Sequence, residues 1–232
     1  MKTTDTLLAF LLLCGSAKAA TIVQTQTFSF TPTATQNLIF NEFDTLGGTR
    51  VLNSVTITTS LTKSGGSLYV DNDSPTAATG SISQTVSITL TGIGASLINP
   101  DGDAIAGSLS ATTSYSVSLF GDDGDGAGYQ AGGPDWGGTT FAETTVGETV
   151  TAGNPGTFIG SGSTFTVRVN GTQSTDTAAI SGAAGAFGPA TASGYVTITY
   201  NYTSLAPIPE PGPWMMIGVG LSGALLVRRR SV

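Results

Sequence analysis

The strongest constraint on this chain is a two-residue rhythm. Val51, Val55, Ile57, Thr59 and Leu61 fall on odd positions with polar residues mostly between them, and Ile82, Gln84, Val86, Ile88 and Leu90 alternate with serine and threonine. Tyr115, Val117 and Leu119 repeat the scheme, as do Phe165, Val167 and Val169; Val196, Ile198, Tyr200 and Tyr202 close the series. Successive side chains of a strand point to opposite faces, so each segment has one apolar face and one hydroxyl-rich face. Shorter candidates lie at 22–30, 37–40 and 67–70. About eight half-buried strands, with no helical period outside the termini, predict an all-β fold, an antiparallel β-sandwich with solvent on both outer sides. Two stretches lack the alternation: the acidic, glycine-rich 121–138 and the alanine- and glycine-rich 178–194. Both are expected as long surface loops.

Composition then removes whole classes of chemistry. The chain has no histidine and a single cysteine, Cys14. Ser-His-Asp and Cys-His nucleophilic catalysis, histidine-ligated zinc and histidine-ligated haem are therefore excluded. Within residues 20–206, thirteen carboxylates face three cations, Arg50, Lys63 and Arg168. Three scattered cations make no stripe that neutralises phosphates, so nucleic acid is not an expected partner.

The two ends read as targeting segments. Residues 1–19 have the layout of a signal peptide: Lys2 in a short polar start, an apolar stretch over 7–14, and Ala17 and Ala19 before a cut at Ala20. That cut removes Cys14, so the exported domain, 20–206, has no disulfide and rests on its core alone. At the other end, Pro209-Glu210-Pro211 precedes the charge-free segment 214–227, and Arg228, Arg229 and Arg230 follow it. As a helix rising about 1.5 Å per residue, this segment reaches about 21 Å, short of a hydrocarbon core of about 30 Å. Such a membrane helix suits retention until processing, with the arginines on the cytoplasmic side. Gly218, Gly220 and Gly223 match the spacing of a dinucleotide-binding loop, but no carboxylate follows them. Small residues that let membrane helices approach closely explain them better.

The three-part tail, 207–232, resembles the PEP-CTERM sorting signal of Gram-negative bacteria. The resemblance implies transient recognition by an exosortase, cleavage near Pro209, Glu210 and Pro211, and membrane contact through the helix before processing. It implies a place in the cell envelope, on the outer surface or in the extracellular matrix, of bacteria that make exopolysaccharide and biofilm. The body is similar at its start to the choice-of-anchor E domain, in Phe43-Asp44-Thr45-Leu46-Gly47-Gly48-Thr49, the following Val51 to Ile57, and Val70-Asp71-Asn72-Asp73-Ser74. That resemblance implies one exported module over 20–206, with an asparagine closing a strand, and carries no activity with it.

The resulting expectation is a non-enzymatic cell-surface or matrix protein, with exopolysaccharide or other surface proteins as partners. Two alternatives rest on the acidic residues. A calcium-dependent carbohydrate-binding or adhesion module would use Asp122, Asp123 and Asp125 for the ion and Trp136 to stack on a sugar. An EF-hand is excluded, because Ala127 and Pro134 stand at its fifth and twelfth positions. A glycan hydrolase would need two of Glu143, Glu148 and Asp135 within about 5–10 Å across a groove. No cofactor is expected, with calcium the ion that the acidic loop could hold.

Overall fold

The computed structural model describes residues 17–205 apart from 179 and 181. The signal-peptide stretch before Ala17 and the sorting segment 207–232, with its 214–227 helix, lie outside the described residues. Among those described, no helix is long and apolar enough to cross a membrane. The described residues form nine strands: β1 (Lys18–Phe30), β2 (Thr35–Asn41), β3 (Arg50–Asn72), β4 (Ala78–Ile93), β5 (Leu109–Leu119), β6 (Trp136–Thr140), β7 (Thr144–Thr151), β8 (Thr164–Asp176) and β9 (Ala183–Ser204). One sheet runs β1-β9-β3, with β6 and β7 both on the far side of β3; the other runs β2-β8-β4-β5. Every strand pairing is antiparallel. The two sheets make the expected sandwich.

Three expectations need correction. Most of the stretch 178–194 is strand: from Ala183 onward it belongs to β9, which pairs with β3 from Asn72↔Ala183 to Arg50↔Ser204. Alanine and glycine bury too little side chain to mark a strand, but their backbones fill a ladder as well as any. Trp136 to Gly138, expected in the acidic loop, form the start of β6 against Asp71, Val70 and Tyr69. The segments 51–61 and 67–70 are one strand rather than two.

The reason β3 read as two segments is a change of face at Gly65 and Gly66. Val55, Ile57, Thr59, Leu61 and Lys63 are buried on odd positions, whereas beyond the glycines the buried hydrophobic residues are Leu68 and Val70. Gly65 and Gly66 have φ of 64° and 84°, a left-handed conformation that flips the alternation while the β3–β9 register runs on unshifted from Gly65↔Ala190 to Ser67↔Gly188. The partner edge breaks at the same level, between β6 and β7, where Phe141 N–H donates to the Gly66 carbonyl. The interior divides accordingly. A large cluster includes Phe40, Ile57, Leu61, Ile88, Phe158, Phe165, Val167, Ile198 and Tyr200. A smaller one includes Leu68, Val70, Ile82, Val117, Leu119 and Phe141. Each fully buried aliphatic or aromatic side chain contributes about 1.5–3 kcal/mol, so the large cluster carries most of the stability of a fold without disulfides.

Between the clusters lies a polar seam. Lys63 is fully buried, and its Nζ donates to Thr113 Oγ1 at 2.8 Å and to the Gly65 carbonyl at 3.2 Å, above the Phe141 ring. Desolvation holds its pKa below the usual lysine value. Gln84, also buried, donates to the Gly188 carbonyl at 2.9 Å.

Along one side the sheets are stitched by glutamines. Asn41 N–H donates to Gln24 Oε1 at 2.9 Å while Gln24 Nε2 donates to the Asn41 carbonyl at 2.8 Å. Gln24 thereby stands in for a strand residue and occupies two edge groups that would otherwise template pairing with another chain. Nearby, Tyr200 O–H donates to the Asn41 carbonyl at 2.8 Å, joining the two sheets from inside. The outer faces carry hydroxyl pairs between neighbouring strands: Thr25–Thr197, Thr58–Thr149, Thr62–Thr145, Thr85–Thr112 and Ser87–Ser110, at 2.7–3.0 Å. Such cross-strand pairs each contribute a few tenths of a kcal/mol to about 1 kcal/mol, which gives the abundant threonine a structural use.

Candidate metal centre

The C-terminal end of β3 organises the acidic region. Asn72 is fully buried, and its side-chain amide donates to the carbonyls of Thr76 (2.9 Å) and Phe120 (2.6 Å). Its Oδ1 accepts from Ser74 N–H at 3.2 Å, and its own N–H donates to the Asp135 carbonyl at 3.1 Å. One residue, by its side chain and its own N–H, thus ties together the end of β3, the turn after it, the end of β5 and the start of β6. This is the asparagine expected to close the strand.

The segment 121–135, between β5 and β6, docks on that hub. Asp122 N–H donates to the Ser74 carbonyl at 2.8 Å, and Phe120 N–H to the Pro134 carbonyl at 3.2 Å. Two aspartates of the β3 end reach the loop backbone: Asp71 Oδ2 accepts from Gln130 N–H at 2.7 Å and Asp73 Oδ2 from Gly128 N–H at 3.1 Å. Within the loop, Gly124 N–H donates to Asp122 Oδ1 at 2.9 Å. Glycines 124, 126, 128, 132 and 133 all have φ between 78° and 119°, so the loop is built from left-handed residues that only glycine adopts at little cost.

This path gathers Asp122, Asp123, Asp125 and Asp135. One carboxylate oxygen from each lies within 4.8 Å of the others. The first three are exposed; Asp135 is 1% exposed. Asp135 Oδ2 accepts from Asp123 N–H at 2.8 Å, while its buried Oδ1 has no hydrogen-bond partner, nor has the buried Oδ1 of Asp71. A buried acceptor left unmatched costs about 1–3 kcal/mol, more when charged. Asp125 has its carboxyl held above the usual range, first by desolvation and then by the negative charges of Asp123, Asp71, Asp135 and Asp122. No cation of the body offsets them. Lys63 is taken up at Thr113, Arg50 lies over the Tyr202 ring and Arg168 reaches Asn37.

The structure therefore brings Asp122, Asp123 and Asp125 together as a cluster and adds Asp135, which sequence reasoning had placed with the hydrolase carboxylates. A separation of ten residues from Asp125 hid it; the only signal was its position just before Trp136, where the loop returns to β3. Trp136 packs against Tyr69 with ring centroids 5.4 Å apart and planes 7° apart, and its Nε1–H donates to Tyr129 Oη at 3.0 Å. One ring face and the polar edge of Trp136 are thus engaged within the protein.

The hydrolase arrangement is not formed by these carboxylates. Glu148 lies opposite Thr59, whereas Asp135 adjoins Trp136 opposite Asp71. Twelve strand residues separate those positions on β3, about 40 Å. Glu143 precedes β7, and the extended stretch from Thr144 to Glu148 alone spans about 13 Å, too far for a paired acid and base.

No protein family matches the chain, and no curated protein matches it. Among solved structures, the T13 viral particle of infectious bursal disease virus is 15% identical, covering 89% of this chain and 47% of that one, with a TM-score of 0.16. The VP2 subviral particle of the same virus is 14% identical over 92% of this chain and 49% of that one, with a TM-score of 0.14. The chain spans about half the length of these structures, and likeness at this level carries nothing about what it does.

Proposed function

We propose that the chain is an exported, non-enzymatic cell-surface or extracellular-matrix protein, processed by an exosortase at Pro209 to Pro211 and deposited among exopolysaccharide. The sequence ends carry this reading, and one structural observation supports it: Ala20, the first residue after the cut, and Tyr202 are register partners. The segments adjoining both targeting ends therefore leave the sandwich side by side, as suits a domain hung from one point. β3 runs from Arg50, opposite Ser204, to Asn72. At about 3.3 Å per residue, β3 spans about 70 Å between the level of Ser204 and the acidic cluster. A module held through its tail would present that cluster outward. The hydroxyl-covered outer faces are compatible with a polysaccharide surrounding.

The test is the intact mass of the protein recovered from the surface or medium of its native host. A mass lacking the first nineteen or twenty residues and ending near Pro209 to Pro211 is expected. A mass running through Val232 would overturn the sorting reading and leave a membrane-anchored ectodomain.

A further inference from the structure

We propose that Asp122, Asp123, Asp125 and Asp135 bind one calcium ion, and that the ion locks the 121–135 loop onto the end of β3. Two observations meet here. The first is spacing: the four oxygens lie within 4.8 Å of one another. Oxygens held at about 2.4 Å from one calcium are at most about 4.8 Å apart, whereas magnesium, at about 2.0–2.1 Å, demands a tighter set. The second is Asp135 itself, buried, with Oδ1 unmatched and its other oxygen fixed by the Asp123 N–H. A Cβ placed on Gly133 would lie 2.9 Å from Asp135 Oδ1 and closer still to Asp123 Oδ2. Both oxygens therefore face the same space beside Gly133, where a side chain would intrude.

Charge points the same way. Four carboxylates converge, Asp71 stands near enough to act on Asp125, and the body's three cations are engaged elsewhere. Asp71 is not needed as a ligand, since its Oδ2 holds the Gln130 N–H. A hard dication with oxygen ligands answers both the repulsion and the unmatched buried acceptor. Binding would fix Asp122 to Asp125 against Asp135, and with them the loop that carries Tyr129 to Trp136. The inference does not depend on export, and the mass measurement above is unaffected by its outcome.

The test uses the full chain in detergent micelles, stripped with a chelator and titrated with calcium alone. Saturable binding is expected, with a melting temperature higher by several degrees at about a hundredfold excess over Kd. Terbium should give emission excited through Tyr129 and Trp136, displaced by calcium. Asp125→Asn, at an exposed position that leaves folding intact, should weaken calcium affinity at least about tenfold. Asp135→Asn should abolish the response and, by relieving repulsion, leave the chelated protein at least as stable. No melting shift and no displaceable terbium signal at millimolar calcium would overturn the proposal. So would an unchanged calcium response in Asp125→Asn, which decides the matter alone if Asp135→Asn does not fold.

Discussion

The two glycine-rich stretches of this chain look alike in sequence and end in opposite roles. In 121–135, glycines 124, 126, 128, 132 and 133 take left-handed conformations, and the backbone turns repeatedly to bring four aspartates together. In β9, Gly185, Gly188 and Gly194 keep extended backbone and pair with Val70, Ser67 and Leu61 of β3. There glycine serves closeness rather than turning. A Cβ at Gly194 would collide with the Ser60 carbonyl and approach Phe28 to 2.9 Å. Glycine content alone therefore does not separate a loop from a strand; the presence of a long partner ladder does. Pro189 fits the same account, because β1 covers β9 only from Ala192 to Ser204. The remaining half has β3 as its single neighbour, and a missing N–H is tolerated at an edge.

The largest effect is expected where the two regions join. Asn72→Leu leaves the Thr76 and Phe120 carbonyls and the Ser74 N–H unmatched, and should destabilise the fold by about 4 kcal/mol in denaturant unfolding. Hydrogen exchange should show protection lost in 73–77 and 120–135 while the Arg50–Leu61 part of the β3 ladder keeps it. Next comes Gly194→Val, an overpacking change that should cost about 3 kcal/mol; a cost below about 1 kcal/mol would mean the strand yields there as a loop would.

A matched pair of alanine substitutions sharpens the contrast further. Gly126→Ala meets no steric neighbour but must adopt a φ of 119°, so a loss of about 1 kcal/mol is expected. Gly188→Ala meets chiefly Ser67 Oγ, which can rotate away, and the backbone is already extended, so its stability should stay within about 0.5 kcal/mol of the parent. Equal costs at the two sites would dissolve the distinction between turning and pairing glycines.

The smallest effect is one of pH, and it belongs to the loop alone. The carboxyl of Asp125 titrates above its unfolded value, so the native state holds more protons between the unfolded and folded pKa values. Stability contributed by that group is present below the unfolded pKa and lost as pH rises through the folded one. In chelator, melting temperature should therefore rise slightly on mild acidification from neutrality. With calcium present the trend should reverse, because protonation competes with the ion.

Much of the sandwich was legible because its strands bury aliphatics on one face. Ile57, Leu61, Ile82, Val86, Ile88, Val167, Val169 and Ile198 are all buried at the parity the sequence predicts. The N-terminal half of β9 was not legible, since alanine and glycine carry no contrast between faces. β7 was hidden for a related reason: Thr144–Thr151 is an edge strand whose residues are at most half-buried, so alternation is faint. The continuity of β3 was masked by Gly65 and Gly66, which reverse the parity in the middle of a strand. In the acidic region, composition alone marked Asp122, Asp123 and Asp125. Asp135 and Asp71 join them only through the closing of β6 onto β3, a tertiary event with no local signature.

The direction of the β3–β9 ladder bears on how the domain would meet mechanical load. β9 ends at Ser204 beside the tail, whereas β3 ends at Asn72 beside the acidic loop. In the exported, tail-held protein proposed above, a pull on that loop resisted beyond Ser204 would draw the two strands past one another along their length. Hydrogen bonds from Arg50↔Ser204 to Asn72↔Ala183 would then be strained together, in shear, instead of opening singly from one end like a zip. A chain without a disulfide would meet tension with its longest strand pairing.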